Sequence, residues 1–404
     1  MHRHYEAPDF GEDRFREAPD ARFEAAPADG VLPEGFFATT NLPTYVKRDG
    51  GWRMPLAPRM DGAIVMDRGG TLRVVEARYV RAGQPVAVGR AEDGSEGIFV
   101  HGSGFVAVDD EASDDEFRFM STEVSREKPV DYEAMARLLH EERERGGHIV
   151  WVLGPAVLHS RGRDIVSWFI RNGYVGALLG GNAIAVHDIE QALMSTTLGM
   201  DADGRSVQGG HSFHMRAINR IRAAGSIRDA VERGVLTEGI MHACVTHDVP
   251  YLLCGSIRDD GPLPEVVTDV LRAQELMREH ARNATMVVMI ATALHSIAFG
   301  NMLPAYVGGD EHVRPLTTIA VDSSEFVVNK LKDRGTRQAF GVITNAQDFL
   351  HVLRHFVEGV EADRAAAAPA RERATATASA HGDEVTATTD EPPADDRLTP
   401  ARAG

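Results

Sequence analysis

Six short apolar runs, alternating with helical patterns along much of their length, constrain this chain more than any other feature. They are Gly147–Leu153, Val175–Leu179, Val249–Cys254, Thr285–Ile290, Thr317–Val321 and Ala339–Thr344. Each is strand length, and none alternates apolar with polar residues, which marks strands buried on both faces. Between them the period changes to that of amphipathic helices: Tyr132–Arg145, Asp164–Asn172, Ala183–Met194, Arg216–Ala224 and Ser226–Arg233. A long helix is expected from Glu265 through His280, and a last one from the sixth run to about Val360. Ser226 is a suitable N-cap. Repeated strand–helix units require crossover connections, so the strands are parallel and the helices cover both faces. The predicted fold is α/β, a Rossmann-like doubly wound parallel sheet.

The chain before this unit reads differently. Thr44–Lys47, Ala63–Met66, Leu72–Val75 and Val86–Val88 are short strand-like runs. Gly50-Gly51, Asp61-Gly62, Gly69-Gly70 and Ala82-Gly83 separate them as turns. These describe a small β-rich module over residues 37–125, with Met120–Lys128 as a linker into the α/β domain at 126–360. Residues 1–36 show no periodicity and are expected to form a disordered acidic arm. Residues 361–404, rich in Ala, Thr, Asp, Glu and Pro, are expected to form a disordered acidic tail.

Composition narrows the function classes. A net charge of −17 disfavours a nucleic-acid groove or an anionic membrane surface as partner. No apolar run reaches spanning length, and the polar N-terminus is not a secretory signal. Cys244 and Cys254 form no CxxC pair, which suits inert buried thiols in a reducing cytoplasm.

The chemistry is expected at strand ends, because ligands of open α/β sheets bind outside the carboxyl ends of the strands. Gly255-Ser-Ile-Arg-Asp-Asp-Gly-Pro-Leu-Pro264 follows one apolar run and places Asp259 and Asp260 side by side. Their mutual repulsion is relieved by a helix N-terminus, by Arg258 or by a ligand, and a rigid capping turn explains them equally well. Gly180-Gly181-Asn182-Ala183 can cradle a phosphate at a helix N-terminus, although it lacks a GxGxxG fingerprint and is equally a tight turn. Asp322, directly after its strand, can accept ribose hydroxyls and would disfavour a 2′-phosphate, pointing to NAD; a helix cap is the alternative. His295, in Ala291–Asn301, can serve as a general acid or base, or as a satisfied core histidine. His211 and His214 lack further ligands at suitable spacing, so no metal is expected.

Six segments in order carry a family resemblance: LGPAVLHS, LLGGNAIAVHDIE, GGHSFHMRAINRI, AGSIRDAVERGVLTEGIM, GSIRDDGPLPEVVTDV and ATALHSIAFGNMLP. With TNLPTYVKRDGGWRMPLAPRMDGAIVMD and FMSTEVSREKPV upstream, the chain resembles archaeal-type ornithine cyclodeaminases from about Ala38 to about Leu353. The same unit forms the C-terminal half of cyanobacterial arginine-degrading enzymes, and the family was long labelled after a lysine-ketoglutarate reductase/saccharopine dehydrogenase region. The resemblance implies an enzyme that converts L-ornithine to L-proline and ammonia, with NAD recycled rather than consumed, and a homo-oligomer. It implies cofactor contacts at Asn182, Ala183, Asp260, Thr292, Ala293, Leu294, His295, Asp322, Asn345 and Ala346. Asp260 and His295 are the catalytic candidates, Asp260 touching both cofactor and substrate.

Three departures from the family pattern are expected to matter. The arm stands where relatives carry a small α/β domain, Gly308–Leu316 looks inserted, and Asn345 occupies a position where relatives tend to have aspartate. Two other functions therefore stay open: an NAD-linked dehydrogenase or deaminase of another amino acid, and a non-catalytic NAD-binding protein.

Overall fold

The computed structural model describes residues 3–107, 130–201, 203–259, 261–309, 312–334 and 338–382. Its centre is a six-stranded sheet: β1 (Ile149–Leu153), β2 (Ala177–Gly181), β3 (Tyr251–Cys254), β4 (Met286–Ile290), β5 (Thr317–Asp322) and β6 (Gln338–Ile343). The spatial order is β3-β2-β1-β4-β5-β6, and every pairing is parallel. That order reverses between β1 and β4, as in two-winged dinucleotide-binding sheets. All residues of β1 and β4 are buried, which is why these runs are continuously apolar. The register brings the carboxyl ends level: Leu153 pairs with Gly180 and Ile290, Gly181 with Cys254, and Ile290 with Val321.

Besides two single-turn helices, Asp13–Arg16 and Ala156–His159, the described helices are α1 (Tyr132–Glu144), α2 (Arg163–Arg171), α3 (Asn182–Met194), α4 (Phe213–Ala224), α5 (Ile227–Glu232), α6 (Ile240–Thr246), α7 (Val270–Asn283), α8 (Ala293–Gly300), α9 (Glu325–Arg334) and α10 (Ala346–Gly382). Ser226 caps α5 as expected, its Oγ accepting from the Asp229 N–H at 2.9 Å. The expected helix over Glu265–His280 starts later. Asp269 caps α7 by accepting from the Arg272 N–H at 2.8 Å, while Val267 runs beside Cys254 in a parallel bridge. Two prolines, Pro262 and Pro264, keep the preceding stretch extended, and Leu263 is buried there. The last helix passes its expected end at Val360 and continues to Gly382. The remainder of the expected acidic tail lies outside the described residues.

Upstream, Arg22–Ala25, Pro85–Val88, Ala63–Met66 and Leu72–Val75 make an antiparallel sheet, in that order. Gly51–Arg53, Thr44–Arg48 and Ile98–Val100 make another, so the expected β-rich elements are present. The first 36 residues do not behave as a disordered arm. Arg3–Tyr5 pairs with Phe105–Ala107, and Arg22–Ala25 pairs with Pro85–Val88. Phe10 stacks on Trp52 with ring centroids 5.2 Å apart, and Phe15 is buried. Lys47, buried under this segment, donates to the carbonyls of Phe15, Arg16 and Ala18 at 2.9, 2.7 and 2.6 Å. A few anchoring aromatics and one lysine order the segment, and neither leaves a periodic signal.

The expected linker at Met120–Lys128 lies outside the described residues. Within the expected insertion, Arg314–Pro315 pairs back onto Tyr306–Val307, which precedes it. Ala305 N–H donates to Asn41 O at 2.7 Å, tying this part of the chain to the upstream module. Contacts gather Met1–Val357 into one compact unit, and Glu358–Gly404 forms a second. No described helix is long and apolar enough to cross a membrane.

Candidate functional site

The level strand ends form a rim, and its tightest point is the switch between β1 and β4. Gly154 N–H donates to Ile290 O at 2.9 Å, and Ala291 N–H donates to Val321 O at 2.9 Å. A Cβ on Gly154 would stand 1.8 Å from Ala291 O, so only glycine permits this approach. Ala291 itself has a φ of +56°, which turns the chain sharply out of β4 into α8.

Two helices begin on this rim without a side chain over their first amides. The N-cap of α3 is Gly181, and that of α8 is Thr292, and neither makes a side-chain capping bond. Their N–H groups, uncapped by side chains, and positive dipole ends are suited to a phosphate or carboxylate. Asn182, in the first turn of α3, is buried and accepts from the Leu263 N–H at 3.0 Å. It therefore fastens the loop after β3 to the rim. Ala183 and Thr292 are half-buried, Ala293 is exposed, and Leu294 is 63% exposed.

His295 joins three strand ends. Its ring covers Gly181 so closely that a Cβ there would lie 2.8 Å from Cε1. Nδ1 is 3.4 Å from Thr292 Oγ1, and the ring also bonds the Cys254 backbone at the end of β3. Burial lowers its pKa from the usual 6.5, against the opposing pull of the Cys254 bond and the Asp259 charge, with Arg258 adding to the fall. The imidazole is therefore neutral at pH 7, a state that can take up a proton. Asp259 Oδ2 accepts from the Ser256 N–H at 2.7 Å, which fixes the carboxylate inside the loop. Its neighbour Asp260 lies outside the described residues.

On the other wing, Asp322 ends β5. Its Oδ1 accepts from the Ser324 N–H at 2.9 Å, leaving Oδ2 without a bond to that turn. Asn345 caps α10: Oδ1 accepts from the Asp348 N–H at 2.8 Å, and Nδ2 donates to Asp348 Oδ2 at 2.5 Å. Ala346 is buried in the same turn. The fold thus brings Asn182, Ala183, Asp259 and Thr292–His295 together, with Asp322 one strand beyond β4. Asn345 and Ala346 stand two strands from β4, roughly 10 Å away at the usual strand spacing. His211 and His214 sit at the start of α4, and no described group of three or more His, Cys, Asp or Glu could hold a metal ion.

Sequence reasoning passed over one buried support. Asp188, fully buried on α3, pairs with Arg163 Nε at 2.8 Å and accepts the Ile240 and Met241 N–H groups at 2.9 and 2.8 Å. It caps α6 and braces α3 against α2. The one signal was a carboxylate pair, Asp188 and Glu190, on a largely apolar helix, Ala183–Met194.

A doubly wound parallel sheet, its order reversing between β1 and β4, is an α/β protein of the Rossmann class. The rim fits a dinucleotide: two helix N-termini lack capping side chains, and one carboxylate ends a neighbouring strand. The chain belongs to the ArgZ-like C-terminal family. Residues 133–353 match the model for the Rossmann fold of the C-terminal part of ArgZ-like arginine dihydrolases, and residues 43–133 match the model for its first region. The ornithine cyclodeaminase of Methanopyrus kandleri is 45% identical over 357 residues, covering 86% of this chain and 80% of that protein. A crystal structure of a LOR/SDH protein from Methanococcus maripaludis superposes with a TM-score of 0.73 at 39% identity, over 86% of this chain and 99% of that one. A ternary complex of AgrE with ornithine and NAD+ superposes with a TM-score of 0.55 at 38% identity, over 86% of this chain and 47% of that one.

Proposed function

We propose that this chain is an NAD-dependent ornithine cyclodeaminase, converting L-ornithine to L-proline and ammonia. The observation that carries the reading is the placement of His295. A neutral imidazole, beside a fixed carboxylate, sits on the same rim as two uncapped helix N-termini. The relative solved with ornithine and NAD+ supports it, at 38% identity over 86% of this chain. Asn182, Ala183 and the Thr292–His295 turn would hold the phosphates and the nicotinamide half. Asp322, with Asn345 and Ala346 beyond it, would hold the adenosine half.

When bound, NAD supplies a hydride acceptor that returns what it takes, so the overall reaction consumes no reducing equivalent. The chain's own residues orient and deprotonate. A substrate amine enters as an ammonium and must lose a proton before its carbon can give up hydride. His295 is proposed to take that proton and to return it to the departing ammonia. Asp259 stabilises the imidazolium so formed, because its charge raises the affinity of that ring for a proton. Asp260 is proposed to meet the second ammonium of the diamine, and so to orient it.

The division into a β-rich module up to about residue 125 and a dinucleotide-binding domain from about 126 belongs to the same reading, as do a homo-oligomeric state and a cytoplasmic location. The matched regions, 43–133 and 133–353, support the division. The test is product analysis: purified protein given L-ornithine and NAD should release proline and ammonia together. Absence of both products, with NAD bound, would reject the assignment.

A further inference from the structure

Away from the strand ends, the upstream module and α7 line a half-open cavity of about 320 Å³. Two arginines of the module, Arg59 and Arg73, face three of α7, Arg272, Arg278 and Arg282. Against them stand three lining carboxylates, Glu76, Glu275 and Glu279, so the lining carries two surplus positive charges. In a chain whose net charge is −17, this is a local inversion.

The surplus is concentrated at the buried end. Glu76 is shared by three guanidiniums: it pairs with Arg59, with Arg278, and with Arg78 Nε at 2.8 Å. Arg278 is only 8% exposed, and its Nε is buried without a hydrogen-bond partner. Burial lowers the pKa of Arg59, and the nearby Arg278 charge adds to that fall while Glu76 opposes it. Glu275 does not relieve the excess, because it already accepts from Tyr79 Oη at 2.8 Å and from Arg272 Nη1 at 3.1 Å. Buried like charges around one counter-ion are costly unless a second anion joins them. The guanidinium fork is the side chain best matched to oxyanion geometry, and the cavity lies within the size range of small-ligand sites.

We propose that this cavity binds a compact, doubly charged oxyanion, a phosphate or phosphoryl group or a small dicarboxylate. The anion bridges Arg59 and Arg73 of the module to Arg278 and Arg282 of α7. None of the cavity-lining residues is among the strand-end residues described above, so the site is separate from the proposed cofactor crevice. Because the anion joins two parts of the fold, its binding stabilises the module against α7.

The test is calorimetric titration of the full chain with inorganic phosphate and, separately, with succinate. Ionic strength is held constant with sodium chloride, and NAD is in excess so that the helix N-termini at the rim do not report. The two anions distinguish a phosphoryl ligand from a dicarboxylate one. Saturable one-to-one binding of at least one is expected, with a rise in unfolding temperature. The double variant R73Q/R282Q changes two exposed side chains and should bind at least tenfold more weakly. Arg282→Gln alone gives a smaller loss and serves if the double variant folds poorly. Saturation by neither anion, or equal affinity in parent and variants, overturns the proposal. Parallel NAD titrations of the same proteins separate this outcome from a failure of the cofactor reading.

Discussion

Asp322→Asn is the sharpest probe of the adenosine half of the proposed cofactor site. The wild-type carboxylate spends Oδ1 on the Ser324 N–H at 2.9 Å, and Oδ2 remains for a ribose hydroxyl. Asparagine keeps an oxygen for Ser324 but replaces the charged acceptor with an amide. One hydrogen bond to a charged group contributes about 1.5–3 kcal/mol. At 1.4 kcal/mol per decade, NAD affinity should fall roughly 10- to 150-fold. Stability should change by less than about 1 kcal/mol, because the turn bond survives. The same change removes the negative charge that would repel a 2′-phosphate, so preference for NAD over NADP should narrow. Calorimetric titration with both nucleotides, alongside a urea denaturation curve, reads all three quantities. An NAD dissociation constant within twofold of wild type, with an unchanged unfolding midpoint, would refute the ribose assignment.

Other consequences follow from the same geometry. Gly181→Ala keeps an ordinary backbone φ of −97° but places a methyl 2.8 Å from His295 Cε1. Turnover should drop at least tenfold for a stability cost of about 1–3 kcal/mol, the usual price of overpacking, and equal turnover would show that His295 need not sit there. Asp259→Asn removes a charge that raises the proton affinity of His295, so the acid limb of the pH–rate profile should move to lower pH; a limb that stays put would remove Asp259 from the account. Burial holds His148 and His280, whose ring nitrogens are 3.3 Å apart, below the ordinary histidine pKa. Their neutral forms are favoured by folding, so the stability they add is present above about pH 6.5 and is lost as pH falls through their lowered values. Unfolding temperature should therefore decline between pH 7.5 and 5, and His280→Gln should flatten that decline.

The sheet was readable because β1, β2, β4 and β5 are buried on both faces and so carry unbroken apolar runs. The strand ends followed from the same logic, and the turn at Gly180–Ala183, His295 and Asp322 all fall on the rim. Of the longer described helices, α6, α8 and α9 escaped. α6 owes its start to Asp188, a residue more than 50 positions away, and its N-cap is Gly239 rather than a side-chain cap. α8 follows a left-handed alanine, which no propensity suggests. α9 is short and mostly polar. The first 36 residues were misread because their order comes from isolated anchors, Phe10 on Trp52 and Phe15 above Lys47, each set by tertiary contact. Asn182 and Asn345 were placed at the right strand ends, but the structure also gives them local work, holding Leu263 and capping α10. A sequence cannot separate such positioning from ligand contact, since both favour the same residue at the same turn.

The central claim is that this rim runs a hydride-returning cyclisation, and one incubation tests it. Purified protein is given NAD and L-ornithine, and proline, ammonia and NADH are followed together. Proline and ammonia in equal amounts, without accumulating NADH, is the expected result. NADH rising without proline would contradict the account and mark the chain as a dehydrogenase.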